Sequence, residues 1–359
     1  MALGRLTINL DAVVANWRQL AGLVRPAECA AVVKADAYGL GMQPVAEALA
    51  DAGCASFWVA TLDEAVALRA LLPRVRIAVL SDQVEPNIRE LTAHRLTPVL
   101  NHPGAVAAWT RWAAPAAAWL HLDTGMHRLG LSPAEWLALS VETPDWRAAG
   151  IGGLMSHYAC ADEREHRLNV VQRDRAVTAA QTARLRLSLG NSSGIFLGSD
   201  FRGDVVRPGM ALYGLNPTPY TENPMRPVVT LEVQVLQVRA VAPDGGTVGY
   251  GASATASPGQ VLATVGLGYA DGLHRALSNR GRLYFNGAAA PMVGRVSMDS
   301  VMVDVSHLTR EPAPGDWAEV IGPNQSADAL ADMAGTIGYE VLTSLGARYA
   351  RTYLPAGNG

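Results

Sequence analysis

Short apolar runs alternate with amphipathic segments through the first two-thirds of the chain, and this alternation limits the fold more than any other feature. The runs are CAAVVKA, ASFWVA, RIAVLS, LTPVLN, AAWLHLD, GIGGLMSHY, RLSLGN and VVRPGMALYG. Between most of them lie helix-like pieces such as PVAEALADAG, LDEAVALRALL and NIRELTAHR, then PGAVAAWTRWA, SPAEWLALSVE and a long one ending in QTARL. In SPAEWLALS, Ser132 fits an N-cap, Pro133 the first helical position and Glu135 the third. A strand–helix unit repeated about eight times predicts a parallel sheet covered by helices, closed as a (β/α)₈ barrel of the TIM type. An open doubly wound sheet is the alternative, but no GxGxxG opens a helix after the first strand.

A Pro- and Asn-rich segment, LNPTPYTENPMRP over residues 215–227, ends the pattern. Beyond it the apolar period is two, in VVTLEVQVLQVRAV, QVLATVGLGYA, GRLYFNG, APMVGRVSMDSVMVDV and DWAEVIG, with one late helix in SADALADMAGT. These segments predict a mostly antiparallel β domain. Two domains are expected in 359 residues, divided as 1–225 and 226–359.

The formal net charge of −3 gives no electrostatic reason to expect nucleic acid or an anionic membrane as partner. Cys29, Cys54 and Cys160 show neither CxxC nor framework spacing, which fits a reduced, cytoplasmic protein. MALGRLTINL lacks a long apolar core behind basic residues, and the alanine-rich stretches are too short to span a bilayer. No metal is expected.

In a barrel of this kind the chemistry gathers at the C-terminal ends of the strands. The first strand ends in Lys34, and the fifth runs into HLDTGMHRLG with Arg128. The sixth ends at His157, the seventh in Asn191-Ser192-Ser193-Gly194, and the eighth holds Arg207 ahead of Gly209 and Met210. NSSG alone reads as a turn. After the seventh strand it falls at the barrel's habitual phosphate site, with free N–H groups and a hydroxyl at a helix start. A lysine in an apolar pocket is either a structural cation paired with a carboxylate or a desolvated amine that forms Schiff bases. A phosphate site on the same rim favours the second reading, because pyridoxal phosphate needs both a lysine and a phosphate cradle.

Taken in order, VVKADAYGLG, HLDTGMHRLG, MSHYACADE, NSSG, VVRPGMALYG, VGYGAS, GLGYADG, VGRVSMDS and GYEVLTSLGARYARTY cover nearly the whole chain and resemble the alanine racemases. These are pyridoxal-phosphate enzymes built from a barrel and a β domain. The resemblance implies that Lys34 holds the cofactor as an internal aldimine, with Tyr38, Tyr339, Ser192, Gly209 and Met210 at its phosphate. Arg207 would donate to the pyridine nitrogen with His157 linked to it, and Arg128 would contact the phenolic oxygen. Tyr250 would be the second acid–base group, with Met298 and Asp299 lining the substrate site. Those three would come from the partner subunit of a homodimer. Tyr269, Asp162, Arg275 and Arg295 would line an access corridor narrow enough for L- or D-alanine. The product would supply peptidoglycan synthesis in the cell wall, or the reaction would serve alanine catabolism.

The residue types suit such chemistry. Racemisation removes a Cα proton on one face and returns one on the other, so a base on each face suffices. Lysine and tyrosine both titrate near about pH 10 in water and need tuning by burial or charge. An arginine at the ring nitrogen keeps its proton, leaving a neutral ring and a weaker electron sink. Read locally, Tyr250 fits a hairpin aromatic better than a base, His157 a satisfied core histidine, and Tyr269 with Asp271 a turn. Within enzymes, a decarboxylase of basic amino acids on a similar plan is the competing reading, and Tyr250 with GLGYADG and VGRVSMDS favours the racemases. A non-catalytic cofactor-carrying barrel would lack the second domain.

One position departs from the family pattern. Where many members carry a carbamylated lysine that orients the arginine corresponding to Arg128, this chain has His121. A neutral His121 can accept a hydrogen bond from Arg128, and a protonated one would repel it. A bound chloride or a nearby carboxylate is the other way to supply the missing charge.

Overall fold

A computed structural model describes residues 2–81, 83–112, 117–143 and 145–355. The chain divides into two compact units, Val13–Arg226 and the pair Met1–Ala12 with Pro227–Gly359.

The Val13–Arg226 unit contains a nine-stranded sheet in which every pairing is parallel. Glu28–Cys29 pairs with Val205–Arg207 at one end of the strand order, and Ala31–Val32 pairs with Ser56–Val59 at the other. Only Ala30 separates these two segments, so they are halves of one strand and the ring closes with eight staves. Ser56–Val59 is buried at all four positions, as expected of a strand covered on both faces. Helices follow the strands as the periodicity predicts, and two begin with complete capping boxes, Thr61 with Glu64 and Ser132 with Glu135. All the strands run the same way, so their C-terminal ends share one rim. That rim carries the residues that follow Val32, His121, Met155, Asn191 and Arg207.

In the other unit the twelve-residue strand Val229–Ala240 is the centre of an eight-stranded sheet, pairing antiparallel with Gly4–Asn9, Val261–Val265 and Trp317–Ile321. Its burial alternates from Val229 to Val235, the signature of a sheet with one face in a core. Residues 1–12 cluster with Pro227–Gly359 in this unit and not with the barrel residues Val13–Arg226. Leu6 and Ile8 are fully buried, and Gly4–Asn9 also pairs in parallel with Ala350–Leu354. The segment APMVGRVSMDSVMVDV supplies two strands, Ala288–Val293 and Val301–Asp304. The residues between them leave the sheet to pair with another turn, Tyr269 N–H donating to Ser297 and Ala270 N–H to the Met298 carbonyl. The late helix is Ala327–Ala334, capped by Ser326. Among the described residues no helix is long and apolar enough to cross a membrane.

Candidate active site

Lys34 follows the strand Ala31–Val32 and opens a turn of unusual hand. Residues 35–38, none of them glycine, have φ of 52°, 53°, 54° and 56°. Gly39 and Gly41 also have positive φ, but the left-handed path begins at Ala35, four residues before Gly39. Two carboxylates hold it. Glu64 accepts from Ala35 N–H at 2.7 Å and from Ala60 N–H at 2.7 Å, and Asp36 accepts from Met42 N–H at 2.7 Å. The half-buried Lys34 amine is held below its ordinary pKa by burial first and the Arg128 charge next, with Arg207 adding to this and Glu64 opposing it.

The turn delivers Tyr38 into the barrel, buried, with its ring 4.8 Å from that of Tyr213. The Tyr213 hydroxyl donates to the Val32 carbonyl at 2.8 Å, tying this aromatic pair to the lysine strand. The Tyr38 hydroxyl reaches Gly209 so closely that a Cβ there would stand 2.3 Å from it. Ser192 accepts from Gly209 N–H at 3.0 Å and from Ala211 N–H at 3.3 Å. Asn191 accepts from Gly194 N–H at 2.8 Å. Ser192, Gly209, the buried Met210 and Tyr38 thus converge as a cradle of hydroxyl and backbone N–H groups after the seventh and eighth strands. This is the donor set a phosphate takes.

Arg207 is buried and fixed on several sides. It donates to Ser188 Oγ at 2.5 Å and to the Ser156 carbonyl at 2.7 Å, with His157 Nδ1 at 3.4 Å and Trp58 under its plane at 5.3 Å. Burial lowers its pKa to about 10, which still leaves it charged at neutral pH. His157 is pushed well below its ordinary value by burial, then by Arg207, Arg128 and Lys34, so the imidazole is neutral. Behind it the fully buried Gln172 donates to the His157 carbonyl at 2.8 Å and accepts from Ala159 N–H at 2.9 Å. Arg128 is exposed in a loop shaped by Asp123, which accepts N–H groups of Gly125, Met126 and His127 at 2.9–3.1 Å. Asp162 lies in an exposed turn after His157.

The remaining expected residues lie in the other unit. Tyr250 is 71% exposed at the tip of the hairpin Gly246–Val248 and Ala254–Ala256. This tip lies against Arg295, whose Nη1 would stand 2.8 Å from a Cβ on Gly251. Tyr269, Met298 and Asp299 share the paired turns described above. Arg348 clamps those turns, contacting Asp271 at 2.7 Å and Asp299 at 2.7 Å. Arg275 is exposed at the start of a short turn, and Tyr339 is half-buried in the helix Gly338–Thr343. Sequence reading passed over Glu64, Ser156, Gln172, Ser188 and Arg348. The nearest signal was the capping-box pattern at Thr61–Glu64, which explains only one of the two tasks of Glu64.

A lysine with a lowered pKa, a fixed guanidinium and an anion cradle together suit covalent capture of a phosphorylated aldehyde and proton transfer beside it. Comparison with known proteins agrees. Residues 8–217 match the family described as alanine racemase, N-terminal domain, and residues 228–353 match alanine racemase, C-terminal domain. The chain is 50% identical to an alanine racemase of Acidiphilium cryptum over 96% of its length and 97% of that protein. It is 46% identical to a catabolic alanine racemase of Agrobacterium fabrum, over 99% and 93% of the two chains. The alanine racemase of Bartonella henselae, solved with covalently bound pyridoxal phosphate, superposes with a TM-score of 0.95 at 41% identity, covering 99% of this chain and 100% of that one. The two domain matches and 50% identity over nearly the whole chain therefore identify the chain as a member of the alanine racemase family.

Proposed function

We propose that this protein is a pyridoxal-phosphate-dependent alanine racemase that acts as a homodimer, with Lys34 the base on one face of the substrate and Tyr250 of a second copy the base on the other. The observation that carries the reading is the Lys34 amine, lowered in pKa at the rim that also holds the phosphate cradle and Arg207.

The residues fit the cofactor. Tyr38, Ser192, Gly209 and Met210, with Tyr339, would hold its phosphate, and a side chain on Gly209 would fill that space. When bound, the cofactor supplies a conjugated ring that acidifies the Cα–H bond of a captured amino acid. Lys34 Nζ, kept toward its neutral form by burial and by Arg128, accepts a proton at one face and returns it. Tyr250 Oη does the same at the other. Arg207 has its other contacts committed to Ser188 and Ser156, so it donates to the ring nitrogen without yielding its proton. Arg128 orients the bound ring, Met298 and Asp299 bound the substrate, and Tyr269, Asp162, Arg275 and Arg295 line the approach.

The proposed place is the cytoplasm, in keeping with three free cysteines. The proposed role is supply of D-alanine for peptidoglycan. D-alanine auxotrophy of a deletion strain supports it, and normal growth points to the catabolic role instead. The enzyme is tested by spectroscopy: purified protein with added cofactor is to show the visible absorbance of a lysine-bound cofactor, absent in Lys34→Ala. A colourless wild-type protein contradicts the proposal.

A further inference from the structure

The helix Arg167–Ala183 turns polar side chains toward the rim where apolar ones would be usual. Asn169 and Gln172 are both buried, three residues apart on one face, and Arg175 continues the row at the surface. A buried amide costs free energy unless its donors and acceptor are matched, and Gln172 is matched throughout. Its Oε1 accepts from Ala159 N–H at 2.9 Å, which fixes the way the amide faces. Its Nε2 then donates to the His157 carbonyl at 2.8 Å and to Thr124 Oγ1 at 3.2 Å. Thr124 Oγ1 lies 2.7 Å from Ser156 Oγ, and Ser156 Oγ donates its one proton to the Leu122 carbonyl at 2.8 Å. The Thr124 hydroxyl is therefore the donor to Ser156. The chain of hydrogen bonds runs one way only, from Gln172 through Thr124 and Ser156 to Leu122.

This chain ties together the loops that follow the strands Ala118–His121 and Ile151–Met155. The first loop carries Arg128. It passes so close over the helix that a Cβ on Gly125 would stand 3.1 Å from Leu168 Cδ1, and Arg175 Nη1 donates to the Thr124 carbonyl at 2.9 Å. The second loop carries His157. Ser156 is held at three points: its hydroxyl by Thr124 and Leu122, its N–H by the Ser188 carbonyl at 3.1 Å, and its carbonyl by Arg207 Nη2 at 2.7 Å. The buried guanidinium takes its direction from that carbonyl and from Ser188 Oγ at 2.5 Å.

We infer that Gln172 is a positioning residue for Arg207. Through Thr124 and Ser156, and directly through the His157 carbonyl, it fixes the end of the sixth strand against which the guanidinium is aimed. With the chain cut at Gln172 or Thr124, Ser156 and His157 lose the restraint from the helix. Arg207 then keeps its charge and loses its direction.

This inference rests on Arg207 serving the proposed cofactor, and the test separates the two. In ¹⁵N NMR of the full chain, with and without added pyridoxal phosphate, a guanidinium held at Ser188 and Ser156 should give separate Nη–H resonances, assigned by their absence in Arg207→Lys. They should merge in Gln172→Met and in Thr124→Val, and return in Thr124→Ser, which keeps the hydroxyl. Resonances unchanged in both Gln172→Met and Thr124→Val overturn the inference, and so does Thr124→Ser no better than Thr124→Val. In the loaded enzyme, Gln172→Met and Thr124→Val should lose about tenfold in kcat with KM within about twofold of wild type, because a misdirected donor harms the chemical step and not alanine binding. A raised KM at unchanged kcat counts against it. Should Gln172→Met fail to fold, the two Thr124 variants decide. A wild-type chain that takes up no cofactor sinks the racemase reading, while the arginine resonances still judge the role of Gln172.

Discussion

The Glu64 carboxylate accepts the Ala35 backbone N–H at 2.7 Å, joining the lysine turn to the strand–helix loop of the next stave. The left-handed path of residues 35–38 costs about 1–2 kcal/mol per residue, roughly 4–8 kcal/mol in all. Local hydrogen bonds of about 0.5–1.5 kcal/mol each do not offset that, whereas bonds to a carboxylate contribute about 1.5–3 kcal/mol each. Glu64 receives Ala35, Ala60 and, at 3.3 Å, Thr61. It is therefore a principal restraint on where Lys34 points. Glu64→Ala should lower stability by about 2–4 kcal/mol in denaturant titration and cut the rate of cofactor capture. A variant as stable and as fast as wild type would remove Glu64 from the account.

Glu64→Gln separates charge from geometry. A nearby anion favours the lysine ammonium, so removing it should lower the Lys34 pKa further. The pH profile for condensation of Lys34 with pyridoxal should move to lower pH, and a move to higher pH contradicts the assignment.

Gly209→Ala places a Cβ 2.3 Å from the Tyr38 hydroxyl. That overlap must displace Tyr38 from the cradle, and loss of one hydrogen bond to a charged phosphate weakens cofactor binding about tenfold or more. Cofactor titration followed by absorbance measures it, with circular dichroism expected to stay at wild type.

His121 makes acid stability informative. Its folded pKa of about 4 lies below the unfolded value of 6.5, so protonation favours the unfolded chain. The associated stability is complete above pH 6.5 and falls as the pH drops from 6.5 toward 4. It amounts to about 3 kcal/mol across that window. Wild type should lose this much relative to His121→Gln, measured by unfolding at each pH. Parallel curves would show that the ring titrates normally.

Much of this was readable in advance because it is local. The alternation gave eight staves, and Lys34, Arg207 and the NSSG turn declare themselves by standing where strands end. The first twelve residues were not readable, since nothing in GRLTIN says which sheet will bury Leu6 and Ile8. The turn after Lys34 was hidden because alanine, aspartate and tyrosine seldom adopt positive φ, and what enforces it lies 29 residues away at Glu64. Asn101 was hidden likewise: an asparagine after a strand reads as a turn residue until the barrel sets it against His121, 20 residues on. Long-range partners decide such sites, and spacing does not encode them.

Deuterium exchange at Cα, followed separately from L-alanine and from D-alanine in deuterated water, tests the two-base account most directly. With Lys34 and Tyr250 on opposite faces, Tyr250→Phe should slow exchange from L-alanine far more than from D-alanine. Equal slowing of the two enantiomers, or none, would contradict the placement of one base on each face.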